Sequence, residues 1–225
     1  MQRFIISILL LKLQFRCCVG MDNIIERFRI LSSTTISDAL DAVGVDGVLQ
    51  DFRSVILNST IVGRAFPVKE IYTGPKEQSF GVSNIIAKSS PGDVIVIANR
   101  GRTDVSTWGG ITSTAAKIKG LAGTIIDGAC RDIDEIRSID FPVFARAWIP
   151  RTGRGRLATL SMGEPVQIQG LTVNPRDLIL ADATGIVVVP HELIEQVLSI
   201  AEKIYEKDKS IIQELKEGKD ITTLY

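Results

Sequence analysis

Two runs of apolar residues, Val94-Ile95-Val96-Ile97-Ala98 and Gly123-Thr124-Ile125-Ile126-Asp127, flank a helix-like stretch, Ile111–Lys119, and this arrangement limits the fold more than any other feature. A strand with one face in water alternates apolar and polar residues, whereas an unbroken apolar run fills a strand covered on both faces. The turn Pro91-Gly92-Asp93 leads into the first run, and Gly120 stops the helical stretch. Strand, helix and strand at this spacing predict a parallel pair joined by a right-handed crossover, and hence a mixed α/β domain.

The surrounding chain fits the same class. Ile24, Ile25, Phe28 and Leu31 recur at helical spacing, and Thr34-Thr35-Ile36-Ser37-Asp38-Ala39-Leu40-Asp41-Ala42 reads as a capped start to a second short helix ending at Gly44. Strands are expected at Ser54–Leu57 and Ile61–Tyr72, the latter bent or bulged at Gly63 and Pro67. A helix over 78–88, a polar loop Asn99–Thr107, a short helix over 132–138 and a strand Pro142–Arg146 complete the first two thirds. The remainder reads as strands Pro165–Ile168, Leu171–Val173, Leu178–Ala181 and Gly185–Val189, then an amphipathic helix from Pro190 to about Glu217, which packs on its own sheet or on a neighbouring subunit. No repeat or linker divides residues 21–225, so one domain is expected there.

Residues 1–20 differ in kind. They carry Arg3, Lys12 and Arg16 as their only charges and the run Phe4-Ile5-Ile6-Ser7-Ile8-Leu9-Leu10-Leu11. A secretory leader would keep its apolar centre intact and end at small residues, whereas Lys12 and Arg16 interrupt this one and Cys17-Cys18-Val19-Gly20 fits a cleavage site poorly. Met21 is the preferred start, with residues 1–20 as an upstream extension, and no stretch approaches the length of a membrane span. The 26 basic and 26 acidic residues cancel, which removes the electrostatic case for sequence-independent nucleic-acid binding. Cys130 has no disulfide partner in the body, in keeping with a reducing, cytoplasmic setting.

Common catalytic patterns are missing: there is no dinucleotide or phosphate-binding glycine loop, no Gly-x-Ser-x-Gly and no histidine pair for zinc. The lone histidine, His191, opens the final helix, an ordinary place for a polar residue. The strongest constellation is Gly109-Gly110 followed, after one helix and one strand, by Arg131-Asp132. A helix of about ten residues rises roughly 15 Å and a strand of about five returns roughly 16 Å, so both pairs reach one rim. There the N–H groups of Gly110, Ile111 and Thr112 are free to hold an anion, Arg131 offers a planar cation and Asp132 a hard oxygen ligand for a divalent cation. Such a set suits a small 2-oxo acid whose cleavage leaves an enolate. On spacing alone, a second reading stays open: the pair caps the helix over 132–138 and meets surface charges. A Schiff base on Lys117 or Lys119 is weaker, because both sit where a helix faces solvent.

The stretch GGITSTAAKIKGLAGTIIDGACRDIDEI, together with Ser37-Asp38-Ala39-Leu40, Pro91-Gly92-Asp93-Val94, Pro142-Val143-Phe144-Ala145-Arg146 and Ala181-Asp182-Ala183-Thr184-Gly185-Ile186-Val187-Val188-Val189-Pro190, resembles the RraA-like family. That family contains the regulator of ribonuclease activity A and the 4-hydroxy-4-methyl-2-oxoglutarate aldolases. The resemblance implies a single α/β domain of phosphohistidine-swivelling-domain-like topology, assembled as trimers or hexamers. It implies that Gly109, Gly110, Ile111 and Thr112 bind substrate, that Arg131 contacts substrate and enolate, and that Asp132 holds Mg²⁺ or Mn²⁺. Metal-dependent aldol cleavage or oxaloacetate decarboxylation, each releasing pyruvate, would follow; the alternative is a regulator that binds and inhibits a ribonuclease. Asp104 and Asp182 are candidates to hold metal waters, although turn roles suit both. Two departures stand out: Arg176 replaces the usual glycine in Asn174-Pro175-Arg176-Asp177, and Asn99–Asp104 and Arg151–Arg156 are unusually basic, as a solvated face or as a site for a more anionic partner.

Overall fold

A computed structural model describes residues 23–74 and 81–224. The extension over 1–20 and the first part of the helix expected over 78–88 lie outside the described residues. The chain begins with helix α1 over 23–29, then α2 (Ser33–Asp41), the short strands β1 (Val48–Leu49) and β2 (Arg53–Ser54) and the long β3 (Ile61–Tyr72). Next come α3 (Val82–Lys88), β4 (Asp93–Trp108), α4 (Gly110–Lys119), β5 (Gly123–Cys130), α5 (Ile133–Ser138) and β6 (Val143–Trp148). The last third holds β7 (Leu157–Met162), β8 (Val166–Ile168), β9 (Leu171–Val173), β10 (Leu178–Ala181), β11 (Ile186–Val189), a 3₁₀ turn at His191–Leu193 and α6 (Ile194–Lys216).

The main sheet runs β1-β11-β10-β3-β4-β5-β6-β2, with β7 also on β3. Its centre, β3 to β6, is parallel, and Val94 to Ala98 pair with Gly123 to Asp127 as the apolar runs require. Both faces of β4 are covered. Val94, Val96 and Ala98 pack under the β8–β9 hairpin with Val166, Ile168 and Val173, while Ile95 and Ile97 pack under α3, α4 and α5 with Ile85, Ala116 and Ile136. A third cluster seats the N-terminal part of α6 through Val197, Leu198 and Ala201 on β10, β11 and the helices α1 and α2. This half of α6 therefore packs on its own sheet, whereas Ile212 near its other end is exposed.

Five features depart from the expected elements. The polar stretch Asn99–Thr107 is strand rather than loop: β4 continues to Trp108, but between Ala98 and Trp108 its partner β5 advances only from Asp127 to Cys130, so the excess residues bulge outward. Left-handed backbone at Arg100 and Gly101 makes the first of these bulges. The strand expected at Ser54–Leu57 is only Arg53–Ser54, because the Ser54 hydroxyl bonds the Ile56 carbonyl and N–H and turns the chain. In β3 the bulge lies between Lys69 and Glu70 rather than at Gly63 or Pro67. Strand β7, which pairs with β3 at that bulge, had no counterpart in the sequence reading. The cap of α2 is Ser32, whose hydroxyl accepts from Thr35 N–H at 3.2 Å, ahead of Thr34.

The turn carrying Arg176 keeps the form of its glycine counterpart. In Ser90-Pro91-Gly92-Asp93 the Asp93 carboxylate accepts from Ser90 N–H at 2.7 Å, and in Asn174-Pro175-Arg176-Asp177 the Asp177 carboxylate accepts from Asn174 N–H at 2.7 Å. The third residue is left-handed in both, Gly92 at φ 80° and Arg176 at φ 75°. Arg176 bears a strain of roughly 1 kcal/mol that glycine avoids.

Candidate functional site

The two ends of the α4–β5 unit meet as the helix and strand lengths predict. Gly109 precedes α4, and Arg131 follows β5, its N–H donating to the Trp108 carbonyl at 3.0 Å. Asp132 then takes a left-handed conformation at φ 57°, uncommon for a residue with a side chain. In this posture its carboxylate makes no cap for α5, the helix it precedes. Instead Oδ2 accepts the Gly110 N–H at 3.1 Å, at the positive start of α4, and lies 3.4 Å from Arg131 Nε. Among the described residues Oδ1 has no protein donor, and the side chain stays about one third exposed. The capping alternative for Arg131-Asp132 therefore fails for α5: Asp132 makes no side-chain cap there, and its carboxylate meets the Gly110 N–H of α4 instead.

The glycines are explained by space. Gly109 has extended backbone open to any residue, but a Cβ there would lie 2.5 Å from Asp132 Oδ2 and 3.2 Å from Arg131 Cγ. A Cβ on Gly110 would press on Glu135 Cβ at 3.0 Å. Side chains are absent from these two positions because Arg131, Asp132 and Glu135 lie against them. Of the three N–H groups expected to hold an anion, that of Gly110 is taken by Asp132, leaving those of Ile111 and Thr112 ahead of the first intrahelical bond, Ser113 N–H to the Gly109 carbonyl. The Thr112 hydroxyl is engaged by Gly109, accepting its N–H at 3.0 Å and donating to its carbonyl at 2.8 Å. The Ile111 side chain points to solvent. Beneath the site, the Trp108 indole donates to Ser113 Oγ at 2.8 Å and fixes the strand to the helix. Cys130 is fully buried, and desolvation pushes its thiol up to about 12, so it supplies no nucleophile.

The other candidates have structural work. Asp182 accepts from Ser33 N–H and Oγ and from Thr184 and Gly185 N–H, tying the start of α2 to the β10–β11 turn. Burial alone would raise its carboxyl, but these donors outweigh burial and hold it below the usual carboxylate range. Asp104 receives two bonds from Arg102, at 2.9 and 3.0 Å. Lys117 donates to the Ile139 and Asp140 carbonyls and Lys119 to those of Ile86 and Ala87, so both lie at the end of α4 away from Gly110. That placement disfavours a Schiff base.

Asp177, His191 and Glu192 each offer one possible metal-ligand atom within 4.8 Å of the others. Both Asp177 oxygens are already used, Oδ1 by His191 N–H at 2.9 Å and Oδ2 by Asn174 N–H at 2.7 Å, so a turn and a helix start account for the group. It also lies at the opposite end of the sheet from Asp132. Leu178 pairs with Arg64 and Arg64 with Asp93 at the start of β4, while Asp132 follows the end of β5.

A carboxylate whose Oδ1 has no protein donor among the described residues fits a hard divalent cation such as Mg²⁺, which takes one or two protein carboxylates and fills its shell with water and substrate. Beside it stand a guanidinium and free N–H groups, a donor set suited to an anionic oxygen ligand that bridges all three.

Comparison with known proteins identifies the family of the chain. Residues 33–188 match the family described as RraA-like: Aldolase/RraA. Protein DlpA of Legionella pneumophila is 33% identical over 180 residues, which cover 80% of this chain but only 29% of DlpA. A Halalkalibacterium halodurans protein that carries the provisional name 4-hydroxy-4-methyl-2-oxoglutarate aldolase is 33% identical over 192 residues, 84% of this chain and 86% of its own. Among solved structures, an uncharacterized protein from Pseudomonas syringae superposes with a TM-score of 0.84 at 31% identity, covering 90% of this chain and 96% of that one. Streptomyces coelicolor RraAS2, described as an unusual member of the RNase ES inhibitor RraA protein family, shares the fold with a TM-score of 0.78 at 23% identity, over 85% of this chain and 98% of its own. Among the described residues no helix is long and apolar enough to cross a membrane. A single mixed α/β domain, the match across its length and relatives of this identity together place the chain in the RraA-like family.

Proposed function

We propose that the chain is a divalent-metal-dependent carbon–carbon lyase that releases pyruvate from a small 2-oxo acid, by retro-aldol cleavage of a 4-hydroxy-4-methyl-2-oxoglutarate-type substrate or by decarboxylation of oxaloacetate. The observation that carries this reading is Asp132, turned by a left-handed backbone away from its own helix so that Oδ2 is fixed by Gly110 N–H and Arg131, while Oδ1 has no protein donor among the described residues. The provisional name of the H. halodurans relative supports the aldol form of the reaction.

In this reading the substrate carboxylate docks on the N–H groups of Ile111 and Thr112, where the α4 dipole favours negative charge. Bare backbone at Gly109 and Gly110 lets it approach. Mg²⁺ or Mn²⁺ held by Asp132 would supply Lewis acidity at the keto oxygen. Arg131 faces the same oxygen, and its attraction grows as the carbon–carbon bond breaks and the electron pair moves into the enolate, so the transition state gains more than the ground state. The chain acts as a homo-oligomer, trimer or hexamer; the exposure of Ile111 and Ile118, at 84% and 83% on one face of α4, supports a subunit contact beside the site.

The test is pyruvate formation from oxaloacetate by the full chain, with Mg²⁺, with chelator, and in Arg131→Ala and Asp132→Ala. Turnover above the free-metal background is expected, abolished by chelator and reduced about a hundredfold or more in either variant. Rates equal to free metal in every protein would overturn the lyase reading for oxaloacetate and favour a binding role.

A further inference from the structure

The chain as a whole is neutral, but the fold gathers charge that the sequence holds apart. Residues 99–104 and 149–156 carry five arginines, Arg100, Arg102, Arg151, Arg154 and Arg156, with Asp104 as their one acid and no lysine. After β6 ends at Trp148, the second of these segments crosses the carboxyl ends of the parallel strands: Ile149 N–H donates to the Cys130 carbonyl of β5 at 3.0 Å, the Arg151 carbonyl accepts Ser106 N–H of β4 at 2.9 Å, and the Arg156 carbonyl accepts Thr73 N–H, just past β3, at 2.7 Å. Arg151 Nη1 donates to the Asp104 carbonyl at 3.3 Å, which draws it to the β4 bulge that carries Arg100 and Arg102. The five cations therefore share one edge, and among the described residues only Arg102 of the five is paired with an acid, Asp104. Two rings are set among them. Tyr72 closes β3 and Trp148 closes β6, 43% and 41% exposed. Arg102 stacks 4.3 Å over the Tyr72 ring, and an open cavity of about 470 Å³ lies between that ring and the bulge.

We propose that this edge binds a single strand of nucleic acid, with phosphates on the exposed Arg100, Arg151 and Arg154 and bases stacked on Trp148 and on the Tyr72–Arg102 pair. The cations are all guanidiniums, whose planar forks match phosphate oxygens and stack on flat rings. Rings exposed among cations suit a polymer that alternates anionic phosphate with a flat base, whereas an acidic peptide would leave the rings unused. Stacking on a side chain also needs bases that are splayed out, which a single strand offers and a duplex does not. The place agrees, since α/β sheets take their ligands at the carboxyl ends of the strands. Neutrality of the whole chain sets the strength: attraction is confined to a few arginines, so binding is modest and falls steeply with salt. The proposal does not rest on the lyase reading, because none of these residues belongs to the Gly109 to Asp132 cluster.

Fluorescence anisotropy of labelled oligo(dT) and oligo(rU) dodecamers with the full chain tests the proposal, the tighter of the two telling DNA from RNA. A duplex dodecamer and a polyglutamate of the same length serve as unlabelled competitors, and Arg131→Ala as the control for the other site. Three phosphate contacts predict a slope of log affinity against log salt of about −2, falling to about −0.7 when Arg100→Gln and Arg154→Gln are combined. Trp148→Leu should weaken binding about fivefold or more and leave that slope unchanged. Arg131→Ala should bind as the native protein does. The proposal is overturned by no saturable binding at about 50 mM salt, by an unchanged slope in the double arginine variant, or by duplex or polyglutamate displacing the probe as well as the unlabelled single strand does. Binding that Arg131→Ala removes and the double variant keeps would also overturn it. Arg100 and Arg154 are exposed and pair with no acid among the described residues, so their variants keep the test decisive even where Trp148→Leu fails to fold.

Discussion

Replacing Glu70 by Gln should stabilise the protein, and by an amount that depends on pH in a calculable way. The carboxyl is buried without a partner, and desolvation raises it from 4.5 to about 8. In the unfolded chain Glu70 ionises near 4.5, while in the fold it stays protonated until about 8. Between these values the folded state binds one more proton than the unfolded state, so its stability falls as pH rises. Each pH unit costs about 1.4 kcal/mol, which gives roughly 3 kcal/mol at pH 7 and a ceiling of about 5 kcal/mol above pH 8. Gln has the same size and a similar unmet hydrogen-bonding need, but it does not titrate. Urea unfolding of both proteins between pH 4.5 and 9 should therefore give coincident stabilities at the acid end, divergence of about 1.4 kcal/mol per unit in favour of Glu70→Gln, and a constant gap above pH 8. Parallel curves from pH 5 to 8 would refute the reasoning, because they would mean that Glu70 ionises in the fold as readily as in the open chain.

Gly109→Ala places a methyl group 2.5 Å from Asp132 Oδ2 and must displace that carboxylate from Gly110 N–H. Pyruvate release should fall at least about tenfold while urea unfolding shifts by only about 1–2 kcal/mol; unchanged turnover would separate Asp132 from the reaction. Asp182→Asn keeps the shape of the tie between α2 and the β10–β11 turn but loses the ionised acceptor of four bonds. A cost of about 1–3 kcal/mol at pH 7 is expected. Since the native carboxyl sits below its ordinary value, that contribution is present above about pH 4 and disappears as pH falls through the folded value, so the two proteins should converge in acid.

The sequence by itself determined the parts of the molecule that depend on local pattern. Continuous apolar runs at Val94–Ala98 and Gly123–Asp127 specified strands covered on both faces, Gly120 and the Pro91-Gly92-Asp93 turn set their limits, and the element lengths alone brought Gly109-Gly110 and Arg131-Asp132 to one rim. Those features follow from the fixed rise of helix and strand and from which residues tolerate a turn. The direction of Asp132 was not legible, because only the packed neighbours hold a residue with a side chain in left-handed backbone and so choose which helix it serves. Polarity in Asn99–Thr107 read as loop, although the residues are strand whose excess length bulges against a shorter partner. Glu70 shows the same limit most sharply. Its charge predicts an outward face, but pairing with β7 and the bulge after Lys69 turn it inward and seal it from water. Burial of that kind is a property of which distant strand arrives and in what register, and no local pattern records it.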